Sequence, residues 1–183
     1  MSKSILVAVV ISIVSVSRIF AQPHHSSSEI THDFSITIAP IKLISPIVEG
    51  TFEKRMTNKI GLEGIAGVGS YDGFFAFTIG GSWRYYLIGS FEHALQTGVE
   101  LYYAHLGSSN VQGSNVSAAG RGLMIAPFIG YKYIADYGLT LDLAIGAGPE
   151  FVSATATDNN SNSATVSGST LGLLLNLNLG WSF

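Results

Sequence analysis

The chain has 183 residues, a formal net charge of −3, and only 11% charged residues, against about 25% in an ordinary soluble domain. That length accommodates one domain, and without a basic stripe nucleic acid is excluded as a partner. The lack of cysteine excludes disulfides, thiolate metal sites and a lipidated-cysteine anchor.

The N-terminus reads as an export signal: Lys3, then the apolar stretch Ile5 to Val16, then Phe20-Ala21-Gln22 with cleavage expected after Ala21. Residues 1–21 are therefore expected to be a signal peptide. Arg18 interrupts the apolar run, which is too short for an anchor helix. Residues 22–33 are polar and aperiodic, so a flexible periplasmic tail is expected there. Its His24, His25 and His32 lack the fixed geometry a metal requires.

From Phe34 onward the chain divides into eight period-two segments, at about 34–43, 47–55, 59–69, 74–88, 93–107, 122–135, 139–154 and 169–183. Pro40 and Pro46 weaken the first two, because proline cannot donate to a strand ladder. Alternate connections are short: Met56 to Asn58, Gly89 to Glu92 and Asp136 to Gly138. The opposite set contains the polar stretches Ser108 to Arg121 and Thr155 to Gly168, the asymmetry of short periplasmic turns and long outer loops.

The last segment is the most regular. Leu171, Leu173, Leu175, Leu177, Leu179, Trp181 and Phe183 share one side, while Gly172, Asn176, Asn178, Gly180 and Ser182 share the other, with Leu174 the large apolar exception. It is about twice the usual strand length, as a tilted membrane-crossing strand must be. Past the leader no apolar run reaches the roughly 18 residues of a spanning helix. A closed barrel is the remaining way to pair every backbone group inside lipid.

The expected fold is all-β: an eight-stranded antiparallel up-and-down transmembrane barrel over 34–183. Polar residues fill its lumen and apolar ones face lipid. Strand direction collects Tyr85, Tyr131, Tyr133, Trp181 and Phe183 at the periplasmic rim and Phe75, Phe77, Tyr103 and Phe151 at the outer rim, two girdles around an aliphatic band. Gly80, Gly98, Gly130, Gly146, Gly148, Gly172 and Gly180 fall on the lumen side.

The leader ending at Ala21, the hairpin rhythm and the terminal Leu-Gly-Trp-Ser-Phe resemble the small eight-stranded outer-membrane barrels typified by the OmpA transmembrane domain and OmpX. The Phe-Ala-Gln junction, Ala39-Pro40-Ile41-Lys42-Leu43-Ile44 and Glu53-Lys54-Arg55 are similar to small barrels of Bacteroidetes-type bacteria. The resemblance implies an outer-membrane location, with lipid and lipopolysaccharide around the wall. It also implies a monomer, and recognition of Leu179, Trp181 and Phe183 by the barrel assembly machinery. OmpA itself continues into a peptidoglycan-binding domain, and cell-wall tethering is not carried over to this chain. No cofactor is implied.

Glu49, Glu53, Glu63, Arg84, Glu100, Lys132, Asp142 and Glu150 are expected in the lumen. Glu63, Arg84, Lys132 and Asp142 fall at similar depth in the periplasmic half, where buried charges must pair. The bland account is a plug, since an eight-stranded interior is only wide enough for side chains to fill. The alternative is a small-solute channel gated by exchange of carboxylate partners.

A lipid A-modifying hydrolase would need a His and a Ser two residues apart on the lipid-facing wall, with an acidic orienter. His105 is followed there by Gly107, while Ser108 and Ser109 have the wrong spacing. No catalytic or metal residue is assigned. His93 and His105, at strand ends, suit a headgroup contact or a simple polar role. Loops rich in Ser and Asn would suit an adhesin, but they lack the aromatic and arginine anchors of binding hot spots. The expected role is therefore envelope structure, without enzymatic activity.

Overall fold

Residues alternating in polarity, with leucine, β-branched and aromatic side chains on one parity, form strands almost throughout. The structure, a computed structural model, describes residues 32–71, 74–108, 117–158 and 162–183. The leader, the polar stretch up to residue 31 with His24 and His25, and the loop segment containing Ser109 lie outside the described residues.

The strands are β1 (Phe34–Ile38), β2 (Ile47–Arg55), β3 (Ile60–Tyr71), β4 (Phe74–Gly89), β5 (His93–Ser108), β6 (Ser117–Ile134), β7 (Leu139–Thr157) and β8 (Ser163–Ser182). Each pairs antiparallel with its sequence neighbours, and β1 pairs with β8 to close the barrel. Closure joins Ser35 to Ser182 and Ile38 to Leu179. Beyond the last pair, the Phe183 N–H donates to the Phe34 carbonyl at 2.9 Å and the Phe34 N–H donates to the Phe183 carbonyl at 3.0 Å. The seam is short, because β1 reaches only Leu179–Ser182 and the β8 segment Ser163–Asn178 has no β1 strand partner on that side.

One end of the barrel carries both ends of the sheet and the tight connections after β2, β4 and β6. Gly138, in the β6–β7 turn, has φ +97°, a left-handed conformation that glycine adopts without a Cβ clash. A bulge between Tyr86 and Ile88 shifts the β4–β5 register by one residue. Leu87 and Ile88 consequently both face outward.

The opposite end carries the longer hairpins, and here the strand limits differ from the sequence-based ones. A first strand running to residue 43 is not found: β1 stops at Ile38, and Pro40–Ile44 is a 3-10 turn. Pro40 has no N–H for a ladder and suits the first position of a helical turn. Ser117–Arg121 and Ser163–Gly168 read as loop from their polar composition, yet they lie within β6 and β8. A ladder needs only backbone groups, so these polar segments extend the hairpins beyond the rest of the barrel. His32 and Asp33, the end of the polar stretch, are anchored to the tight-turn end. The His32 N–H donates to Glu92 Oε1 at 3.0 Å, and Arg55 pairs with Asp33 at 2.6 Å.

Parity sorts the side chains. Leu173 is 80% exposed on the outer side of β8 whereas Asn176 is 5% exposed inside it. The interior holds small apolar layers, Tyr86 with Phe91, Ala94 and Ile134 near the tight turns, and Ala126 with Phe128, Ala144 and Leu174 deeper in. Polar side chains occupy the rest.

Candidate functional site

The β2–β3 register sets Glu53 directly opposite Glu63, with both carboxylates inside the barrel. Like charges on adjacent strands repel, and Arg84 of β4 answers them. Its guanidinium lies 2.6 Å from Glu63 and 3.7 Å from Glu53, and it also bonds Asp142 of β7. The guanidinium fork presents five donors in a plane, so one residue can bridge several carboxylates at once.

Lys132 of β6 completes the cluster. Its ammonium donates to Glu53 Oε2 at 2.6 Å and to Ser35 Oγ at 3.0 Å. Tyr86 donates its hydroxyl to the other Glu53 oxygen at 2.5 Å, and Gln96 Nε2 donates to Asp142 at 2.7 Å. Ser82 bridges Arg84 and Glu63. Lys132 and Arg84 are 0% and 1% exposed. Removing such ions from water is compensated only when opposite charge and hydrogen bonds surround them, as they do here.

Aromatic rings seal the cluster on two sides. Phe91, from the turn between β4 and β5, folds inward so that its ring centroid lies 3.5 Å from Lys132 Nζ, and its edge meets Tyr86 at 6.0 Å between centroids. On the other side the Arg84 guanidinium stacks 5.6 Å over Phe128. Leu174, the one apolar side chain on the inward parity of β8 between Thr170 and Ser182, packs with Phe128, Ala126 and Ala144. Phe91 is absent from the sequence-based site because alternation carries no facing information inside a turn.

The remaining lumen acids stand apart. Glu49 accepts from Tyr102 at 2.6 Å and Thr78 at 3.2 Å, with Lys42 at 3.9 Å. Glu100 accepts from Asn176 at 2.9 Å, and Glu150 is half-buried. Glu53, Glu63 and Asp142 bring one oxygen each within 4.8 Å of one another, spacing that suits a divalent cation. Arg84 contacts all three, so the guanidinium already supplies the positive charge a metal would bring.

On the outside, Phe75, Phe77, Tyr103 and Phe151 lie toward the long-hairpin end, with Phe77 and Tyr103 at 5.9 Å. Tyr85, Tyr131, Tyr133, Trp181 and Phe183 lie toward the tight turns with Leu179. Trp83 and Tyr137 extend that group, 6.2 Å from Tyr85 and 5.8 Å from Trp181 respectively. Among the described strand residues, the outward wall carries Lys54 and Arg121 as its formal charges and no carboxylate. His93 and His105 stand near these two cations' respective ends, against Tyr133 and Phe77.

Comparison with models of known families, with curated proteins and with solved structures finds no match.

Proposed function

We propose that this chain is an outer-membrane barrel whose role is structural, with apolar residues against lipid, a lumen closed by its own side chains and polar hairpins facing outward. The observation that carries this reading is the inversion of polarity. Strand carboxylates point inward, while Leu173, Leu171, Ile145 and Ile79 are 80%, 70%, 60% and 57% exposed. Soluble monomers rarely expose contiguous apolar patches beyond roughly 300–600 Å², and this band runs around the wall between two aromatic groups. Thr97, a hydroxyl within it, donates to the Phe128 carbonyl at 2.7 Å, which suits a medium without water. The sequence resemblance to OmpA- and OmpX-type barrels and the leader-like N-terminus support the same reading.

A structural role has more support than a channel because Arg84, Lys132, Phe91 and Phe128 fill the interior at consecutive levels. A hydrolase has less. His105 and Ser153 stand on strands β5 and β7 with Arg121 between them, about 10 Å by strand spacing and beyond the reach of a base activating a nucleophile.

The test is refolding from urea into phosphatidylcholine vesicles, followed by planar-bilayer recording. The expected result is strand structure and protease resistance that require lipid or detergent, without stable conductance. A monomer that folds and remains dispersed in detergent-free buffer would overturn the membrane reading. Large, steady conductance would overturn the closed lumen.

A further inference from the structure

We propose that Arg121, Ser153 and Ser167 form a binding site for the phosphate of a lipid headgroup. The inference rests on the membrane reading above and adds a specific site to it. The register makes these residues consecutive: Arg121 faces Ser153 and Ser153 faces Ser167, with His105 opposite Arg121 on its other side. At strand spacing Arg121 to Ser167 spans roughly 10 Å, within reach of the long arginine side chain. All four side chains are on outward parity, and the two serine hydroxyls are already aligned, Ser167 Oγ donating to Ser153 Oγ at 3.0 Å.

The level of this row on the wall selects the ligand. Directly toward the tight-turn end lies the row Tyr103, Leu123, Phe151 and Ser169, largely apolar and aromatic. On the other side Thr155 and Thr165 pair through their hydroxyls at 2.9 Å. Arg121 thus stands where the wall changes from apolar to polar, the level at which acyl chains give way to headgroups. A groove of about 550 Å³ opens there, lined by Tyr103, Arg121, Leu123, Phe151, Ser167 and Ser169. Its aromatic part suits the start of an acyl chain and its polar part suits a phosphate.

Charge points the same way. Among the described residues Arg121 has no ion pair, and the outward wall offers no carboxylate. Lys54, its counterpart at the other end, already lies 5.6 Å over Phe34. A guanidinium fork matches phosphate oxygens in a bidentate manner, with the serine hydroxyls as further hydrogen-bonding groups.

The experiment uses the full chain in phosphatidylcholine nanodiscs containing a minor fraction of phosphatidic acid, and counts lipids retained by native mass spectrometry. Diacylglycerol replaces phosphatidic acid as the phosphate-free control, and inorganic phosphate is added alone as competitor. Phosphatidic acid is expected to be retained about tenfold less by R121Q, the scale of one charge-assisted contact, and K54Q is expected to match the parent. Paired Ser153→Ala and Ser167→Ala substitutions should weaken retention severalfold, and they supply the test should R121Q fail to fold. Equal retention by parent and R121Q, equal losses in R121Q and K54Q, or equal retention of diacylglycerol would overturn the site. Displacement by inorganic phosphate would also overturn it, by showing an anion site indifferent to lipid. A parent chain that never enters the nanodisc would sink the membrane reading as well, an outcome distinct from variants that insert and bind like the parent.

Discussion

Lys132 and Asp142 face each other directly across the β6–β7 ladder, yet among the described residues no ion pair joins them. Lys132 reaches across the lumen to Glu53 on β2, and Asp142 takes Arg84 from β4. With Glu63 of β3 also on Arg84, five strands contribute to the cluster, so the network ties opposite walls of the barrel together rather than reinforcing one hairpin.

This exchange of partners fixes where coupling should be found. Replacing Glu53 by Gln strips Lys132 of its ion pair, and replacing Lys132 by Met leaves three buried carboxylates to Arg84 alone; each is expected to lower unfolding stability by about 3–5 kcal/mol. A double-mutant cycle should recover about 2–3 kcal/mol of coupling for Lys132 with Glu53 and below about 1 kcal/mol for Lys132 with Asp142. Urea unfolding in vesicles, followed through Trp83 and Trp181 fluorescence, measures both. Stronger coupling to Asp142 than to Glu53 would contradict the geometry.

Arg84 holds three carboxylates at once. Arg84→Met should therefore exceed either of the preceding single losses, because Glu63 and Asp142 lose their cation together. Arg84→Lys keeps the charge but not the planar fork, so one carboxylate remains without a directed donor. Its expected stability lies between those of the parent and Arg84→Met in the same urea titration. Full recovery by lysine would mean that charge alone, without the bridging geometry, accounts for the cluster.

The sidedness of the strands was legible because two-residue periodicity maps directly onto inward and outward faces. Leu174 broke that pattern in the sequence, and the Phe128 layer explains it: the lumen also needs apolar filling. Partner identities were not legible, since Glu53 and Lys132 are 79 positions apart and meet across the interior, where neighbour rules say nothing. The inward turn of Phe91 was hidden for a related reason, because a tight turn has no face. Ser163 to Gly168 read as loop because composition reports solvation better than it reports backbone pairing. Pro40, by contrast, did mark a weak strand, and the chain leaves the ladder there.

Phe91 separates the charge cluster from the tight-turn mouth. Phe91→Ala deletes the ring against Lys132 and Tyr86 and leaves a cavity, a change that costs about 3–5 kcal/mol in well-packed interiors. The expected consequence is brief, small conductance steps in planar bilayers where the parent chain is expected to give none, together with a lower urea midpoint. A destabilised variant as silent as the parent would show that the Arg84 and Phe128 layers suffice to close the lumen.

The wall itself can be probed by depth along one strand. Leu173 and Thr165 lie on the same outward face of β8, Leu173 between the aromatic groups and Thr165 in the polar hairpin extension. On the membrane reading, Leu173→Arg carries a guanidinium toward the bilayer midplane and should cost about 2–4 kcal/mol, whereas Thr165→Arg should cost about 0–1 kcal/mol. In water the order disappears, because arginine at an 80% exposed position meets solvent and substitutions there typically stay within about 0.5 kcal/mol. Urea titration of both variants in vesicles decides between the two media. Equal, small effects at Leu173 and Thr165 would place the outer wall in contact with water.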